Sequence, residues 1–171
     1  MNHAIQRLAG CLICLIYLST PAWAEKFENI YLSFNLPDGW TCQQEGTEFV
    51  CRAPNPSNKN HVAMMIMTAK EPGPDDTLAA YMEHLGKIAP AKGASVFKAP
   101  ALVNLQGTLW VDATLLGSEV PNYYTRYMAT VKENIAVLYT FSVHKSQYKD
   151  FAGVSTLAVH TLQVKPRPAR R

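Results

Sequence analysis

Three sets of side chains in this sequence have the types and spacing for chemistry: a cysteine pair, a histidine with two methionines, and a Ser, His and Asp near the C-terminal end. Cys42 and Cys51 flank the stretch Gln43-Gln44-Glu45-Gly46-Thr47-Glu48-Phe49-Val50. Glycine in the first position of a two-residue loop suits a type II′ turn, so Gly46-Thr47 is the natural reversal point. With that turn, Glu45 faces Glu48, Gln44 faces Phe49, Gln43 faces Val50 and Cys42 faces Cys51. Facing pairs alternate between hydrogen-bonded and non-hydrogen-bonded sites, and the cysteines fall on the latter, where side chains come closest and a disulfide can close. The pair therefore reads as a structural staple. The sequence has no C-x-x-C, so it does not read as a redox centre.

His61, Met65 and Met67 share one face of an apolar run, His61 to Thr68, that reads as a strand. Methionine and histidine are ligands that suit Cu(I), which makes this row the candidate metal site. Ligands two apart on a strand lie about 7 Å apart, however, too far to share an ion without help from another element. Methionine is also the ordinary filler of irregular cores, and packing is the plainer reading. No other cofactor is indicated.

Ser142, His144 and Asp150 invite comparison with a hydrolytic triad, and Ser142 and His144 fall on one strand face. No glycines of a nucleophile elbow flank Ser142, and no oxyanion donors can be named. A hydrolase is accordingly the least supported reading, and the expectation is a protein without catalytic activity. Tyr123, Thr125 and Tyr127 share a strand face as well. Left open to solvent, Tyr123 and Tyr127 would form a ligand surface for sugar, peptide or lipid headgroups; covered by a helix, they are packing residues.

The N-terminus decides which of these residues belong to the working protein. Arg7 supplies one fixed positive charge, an uncharged stretch runs from Leu8 to Leu18, and Ala22-Trp23-Ala24 offers small residues at the positions a signal peptidase reads. The apolar run is shorter than the ~20 residues needed to span a bilayer. Residues 1–24 are therefore expected to be a cleaved secretory signal, with the domain beginning at Glu25. Leu8-Ala9-Gly10-Cys11 resembles a lipoprotein cleavage site but precedes the apolar stretch instead of following it. Removal of the signal takes away Cys11 and Cys14, leaving Cys42 and Cys51 as an even pair in an oxidising compartment, periplasmic or secreted.

The formal charge of +3 is misleading. Arg7 and the four cations of the last seven residues account for five of the 16 Lys and Arg, leaving 11 against 13 Asp and Glu between residues 25 and 164. A body of net charge −2 excludes the clustered cations of a nucleic-acid groove. Lys165, Arg167, Arg170 and Arg171 lie in a proline-broken segment that reads as a flexible basic tail over residues 163–171, able to make weak contact with an anionic surface.

The elements that must position these residues follow from pattern. Ile30 to Leu36 alternates as a first strand, Pro37-Asp38-Gly39 turns the chain before Trp40, and the cysteine hairpin follows. After the His61–Thr68 strand, Asp75 or Asp76 is expected to cap a helix running to about Ile88, with Leu78, Tyr81, Met82, Leu85 and Ala89 on one stripe. A meander of Val96–Leu105, Leu109–Leu116, Tyr123–Lys132 and Ile135–Val143 comes next, turning at Gln106-Gly107 and Glu133-Asn134. Gln147 to about Leu162 carries Phe151, Val154, Ala158 and Leu162 on one helical face. The expected fold class is α+β: an antiparallel sheet of six or seven strands with two amphipathic helices packed on it, in one domain over residues 25–162. Trp40 and Trp110 are expected in the core.

Phe34-Asn35-Leu36-Pro37-Asp38-Gly39-Trp40 resembles the opening of PsbP-like and DcrB-like proteins. The helix start Thr77-Leu78-Ala79-Ala80-Tyr81 and the strand Tyr139-Thr140-Phe141-Ser142 leading into a terminal helix extend the likeness over most of residues 30–162. The resemblance implies an α/β/α sandwich and a non-catalytic binding or accessory role in the cell envelope, with an envelope protein or membrane complex as partner. It carries no functional residue over to this chain. A metal or small-ligand binding protein is the alternative.

Overall fold

A computed structural model describes residues 25–54 and 63–166. Its largest feature is a seven-stranded antiparallel sheet in the order β3-β4-β5-β9-β8-β7-β6. The strands are β3 (Thr41–Glu45), β4 (Glu48–Arg52), β5 (Met64–Lys70), β6 (Ser95–Leu105), β7 (Thr108–Leu116), β8 (Tyr123–Lys132) and β9 (Ile135–His144). Helix α1 (Leu78–Lys92) connects β5 to β6, and a 3-10 turn (Lys145–Gln147) leads from β9 into helix α2 (Tyr148–Thr161). A small second sheet joins β1 (Lys26–Glu28), β2 (Leu32–Asn35) and β10 (Gln163–Val164), with β2 in the middle. This is the expected α+β class.

The cysteine hairpin has the register read from its turn: Cys42 faces Cys51 and Glu45 faces Glu48. Gly46 takes a φ of 63°, the left-handed conformation that the first position of the turn requires. The cysteine Cα atoms are 4.0 Å apart and the disulfide is formed. Cys51 is fully buried against the row that follows on β5, where it pairs with Met65.

Alternation sorts the sheet into two faces. On β9, Ile135, Val137, Tyr139, Phe141 and Val143 point one way and are buried beneath α2 and the small sheet. Trp40, Trp110, Met65, Met67, Met128, Leu32 and Phe34 complete that core. The Trp40 ring lies 6.2 Å from Phe141 and 6.2 Å from Phe151 of α2. The opposite face carries a smaller core, in which Leu85 and Ala89 of α1 pack on Val111, Ala113, Leu115 and Tyr127. The helices thus lie on opposite sides of the sheet, the α/β/α layering expected.

Several boundaries differ from the sequence reading. Thr77, not Asp75 or Asp76, caps α1: its hydroxyl accepts from the Ala80 amide at 3.1 Å. Asp76 instead closes the preceding turn, accepting from the Gly73 amide at 2.7 Å and the Tyr81 hydroxyl at 2.7 Å, and pairs with Lys70 at 2.7 Å. The helix runs past Ile88 and through Pro90 to Lys92, and Gly93, at φ 65°, ends it. The domain also extends to Val164 instead of 162, since Gln163 and Val164 pair with Ser33 and Leu32. Lys165 is held too, its amide donating to Tyr31 at 2.8 Å and its ammonium to Glu28 and Asn29. Lys165 is thus tied to the domain; Arg167, Arg170 and Arg171 of the expected tail, like the expected signal at 1–24, lie outside the described residues.

Closing so short a loop contributes about 2–3 kcal/mol in the chain-entropy model. A Cys42→Ala/Cys51→Ala variant is therefore expected to lose about that much unfolding free energy in urea titration, and reduction of the parent protein to reproduce the loss. Lys70, then the Tyr81 hydroxyl and the Gly73 amide, hold the Asp76 carboxyl down at about 2. A depressed folded value stabilises above the unfolded value of about 4 and stops doing so as pH falls through the folded one. Stability is expected to decline between these two values on acidification, and Asp76→Asn to flatten that part of the profile.

Candidate functional site

Helix α1 covers only part of its side of the sheet. It sits over β6, β7 and β8, and among the described residues no helix covers the same face of β9 and β5. Two adjoining depressions result. The first, about 520 Å³, has Tyr81, Leu85, Ile88 and Ala91 of α1 as its wall and Tyr127, Ala129, Leu138 and Thr140 on the sheet as its floor. The second, about 500 Å³, continues across Met64, Ile66, Thr68 and Ser142 towards Val120 and Tyr123. Glu119, Leu138 and Thr140 line both, so the two form one groove.

The floor is apolar with a line of hydroxyls, because the outward positions of β5 and β9 alternate Met64, Ile66, Thr68 and Leu138, Thr140, Ser142. Carboxylates stand at its edges, with Glu48 on the far strand and Glu119 in the β7–β8 loop. Glu119 accepts from the Tyr127 hydroxyl at 2.7 Å, and that hydroxyl also meets Ser118 at 2.8 Å. Burial, with the Glu119 bond adding to it, raises the Tyr127 phenol well above its ordinary value and keeps it protonated. These groups orient and seal. Such a groove suits an elongated, mostly apolar ligand with hydroxyl or amide groups along it.

The residues singled out by sequence end up in different places. Tyr123 and Tyr127 do share the groove side of β8, with Tyr127 buried against α1 and Tyr123 at the open end, its ring 5.4 Å from His144. Met65 and Met67 are 0% and 1% exposed and point into the core beneath the other face. His61 lies outside the described residues. Among the described residues, no three His, Cys, Asp or Glu side chains gather as a metal site. Ser142 bonds Thr125 at 3.0 Å, His144 Nδ1 meets Ser146 at 2.8 Å and receives its amide, and Asp150 sits exposed in the first turn of α2. The sheet separates Ser142 from α2, so the three do not assemble.

One constellation escaped the sequence reading. Asp112 of β7, 1% exposed, accepts from Arg126 of β8 at 3.0 and 2.9 Å and from Lys98 of β6 at 2.7 Å. Burial pushes the Asp112 carboxyl up, but the bonds to Arg126 and Lys98 outweigh it and hold it below the ordinary range. The available signal was a single charge in each of β6 and β7, Lys98 and Asp112, beside Arg126 on β8, which also carries Lys132.

No family model matches the chain, and no curated protein is similar to it in sequence. Solved structures are. CyanoP, the cyanobacterial PsbP of Synechocystis, superposes with a TM-score of 0.58 at 10% identity, over 82% of this chain and 92% of its own. The chain has a PsbP-like fold. LpqN of Mycobacterium tuberculosis, a protein involved in cell envelope biogenesis, matches with a TM-score of 0.60 at 10% identity, over 79% of this chain and 83% of its own. A protein from Bacteroides thetaiotaomicron matches with 0.61 at 16% identity; 87% of this chain is covered, and it spans about half of that one (51%). The shared property is the PsbP-like architecture, and at these identities it brings no site residue with it.

Within this PsbP-like sheet, among the described residues, Asp112 is the group that bonds both Arg126 and Lys98. Removing one partner of a buried ion pair typically costs about 3–5 kcal/mol, because the other charge stays behind unpaired. Asp112→Ala is expected to fall at or just below the low end of that range, since Lys98 can turn to solvent. Urea unfolding of the variant beside the parent measures it.

Proposed function

We propose that this is an exported, non-catalytic binding or accessory protein of the cell envelope, and that the groove beside α1 receives the apolar part of its ligand or partner. The groove carries the reading: a long apolar floor, open among the described residues, next to a helix that covers the neighbouring strands β6 to β8 of the same face. Export draws support from the order of charge, apolar stretch and small-residue site in residues 1–24, and from a disulfide, which persists in oxidising compartments. LpqN, of like fold, is described as acting in cell envelope biogenesis, which agrees with an envelope setting.

The test has two parts. Expressed as the full chain in a Gram-negative host, the protein is expected in the periplasm, beginning at Glu25 and with Cys42 and Cys51 oxidised. Retention of residues 1–24 on a cytoplasmic, reduced protein would overturn export. The neutral apolar probe N-phenylnaphthylamine is expected to bind saturably, and Leu138→Glu, a charge in the groove floor, to weaken it about tenfold or more. Equal binding by Leu138→Glu, with the fold unchanged by circular dichroism, would remove the groove from the proposal.

A further inference from the structure

The other side of the sheet holds a pocket of different chemistry. It is about 210 Å³ and opens between α2 and the strands β6 to β9. Lys98, Thr114, Tyr124 and Arg126 line it from the sheet, and Tyr148 and Ser155 from the helix. No carboxylate lines it among the described residues, because Asp112 lies beneath the two cations and faces them from below.

Counting charges and donors gives the pocket its character. Two cations share one carboxylate, so the cluster carries one excess positive charge at the foot of a partly enclosed cleft. The ammonium of Lys98 has three N–H groups, and one goes to Asp112. Of the five on Arg126, two go to Asp112 and one to Ser155 Oγ at 3.3 Å. Both cations retain unused donors. Thr114 lines the same cleft, and its hydroxyl is a further donor beside them. Spare cationic donors next to a hydroxyl are an arrangement that an incoming acceptor completes.

Aromatic rings form part of the remaining wall. Tyr124 and Tyr148 have ring centroids 4.5 Å apart, and Phe97 backs both at 4.8 and 5.3 Å while remaining 54% exposed. Flat rings next to a cationic end select a ligand with an anionic head and a flat or apolar body. The single excess charge favours a monoanion, since a dianion would leave one negative charge uncompensated in a desolvated site.

We infer that the pocket between α2 and the sheet binds a small organic monocarboxylate, its carboxylate on Lys98, Arg126 and Thr114 and its apolar body against Tyr124 and Tyr148. This site is separate from the groove beside α1 and does not depend on it. The experiment is an amide-shift titration of the isotope-labelled protein with phenylacetate, alongside neutral phenylethanol and dianionic phenyl phosphate. Phenylacetate is expected to shift Thr114, Tyr148 and Ser155 saturably. Losing the Lys98 charge-assisted bond in Lys98→Gln is expected to weaken it about tenfold. Lys98→Gln leaves the Asp112–Arg126 pair in place, and Ala152→Glu, at an exposed lining position on α2, tests the charge requirement without touching the buried cluster. It too should weaken binding, by at least as much, whereas Lys87→Gln on the far side should not affect it. Absence of saturable shifts, equal binding of phenylethanol, tighter binding of phenyl phosphate, or full affinity in both pocket variants would each overturn the inference.

Discussion

The pairing of β5 with β9 is the constraint on which the rest of the molecule depends. Seven residues of β5, Met64 to Lys70, lie antiparallel to Ser142 through Ala136. The pairing fuses the cysteine hairpin on one side with the β6–β9 meander on the other, across a connection that includes all of α1. Because strand side chains alternate, this register sends Met65 and Met67 down with Tyr139 and Phe141 into the main core, and Ile66 and Thr68 up with Leu138 and Thr140. A one-residue slip would reverse both sets at once. The identity of the groove floor and the burial of the methionines are one geometric fact.

The two helices use the faces unequally. α2 and the small sheet seal one face along its length, so that Phe34, Trp40, Met65, Tyr139 and Phe141 share a single core. α1 lands on the meander half of the other face and stops there. What it does not cover becomes the groove. On the sealed face, a small gap beside the first turns of α2 becomes the charged pocket, since Asp112 must stay with Arg126 and Lys98 where they meet. Cavities of opposite polarity thus come from the same layering, one where a helix is too short for its sheet and one where a buried carboxylate holds two cations near the surface.

Much of this architecture was legible in the sequence, and the reasons are local. Gly46 sets its turn, and the turn alone fixes Cys42 opposite Cys51. Tyr123–Lys132 has the bounds read from its pattern, because strong turns, Asn122 at φ 66° and Glu133-Asn134 at φ 51° and 57°, close it at both ends. The failures are equally physical. β1 and β10 are three and two residues long and carry no periodicity; they exist because β2 offers them edges. The cap of α1 went to Thr77 because Asp76 was already engaged by Lys70, Gly73 and Tyr81. The groove was invisible because Leu138 and Thr140 read the same whether or not a helix crosses them. The Asp112 cluster depended on diagonal neighbours across three strands, which no single segment displays.

The small sheet has a consequence for the order in which the molecule can be completed. Its middle strand, β2, finds one partner in β1 beside it and the other in β10, at the far end of the described chain. Lys165 then ties the last described residues to Tyr31, Glu28 and Asn29. Contacts joining distant parts of a chain form late, because the intervening loop must first be closed. One edge of β2 therefore stays unpaired until β10 reaches it. The domain is a lock whose final tumbler arrives last.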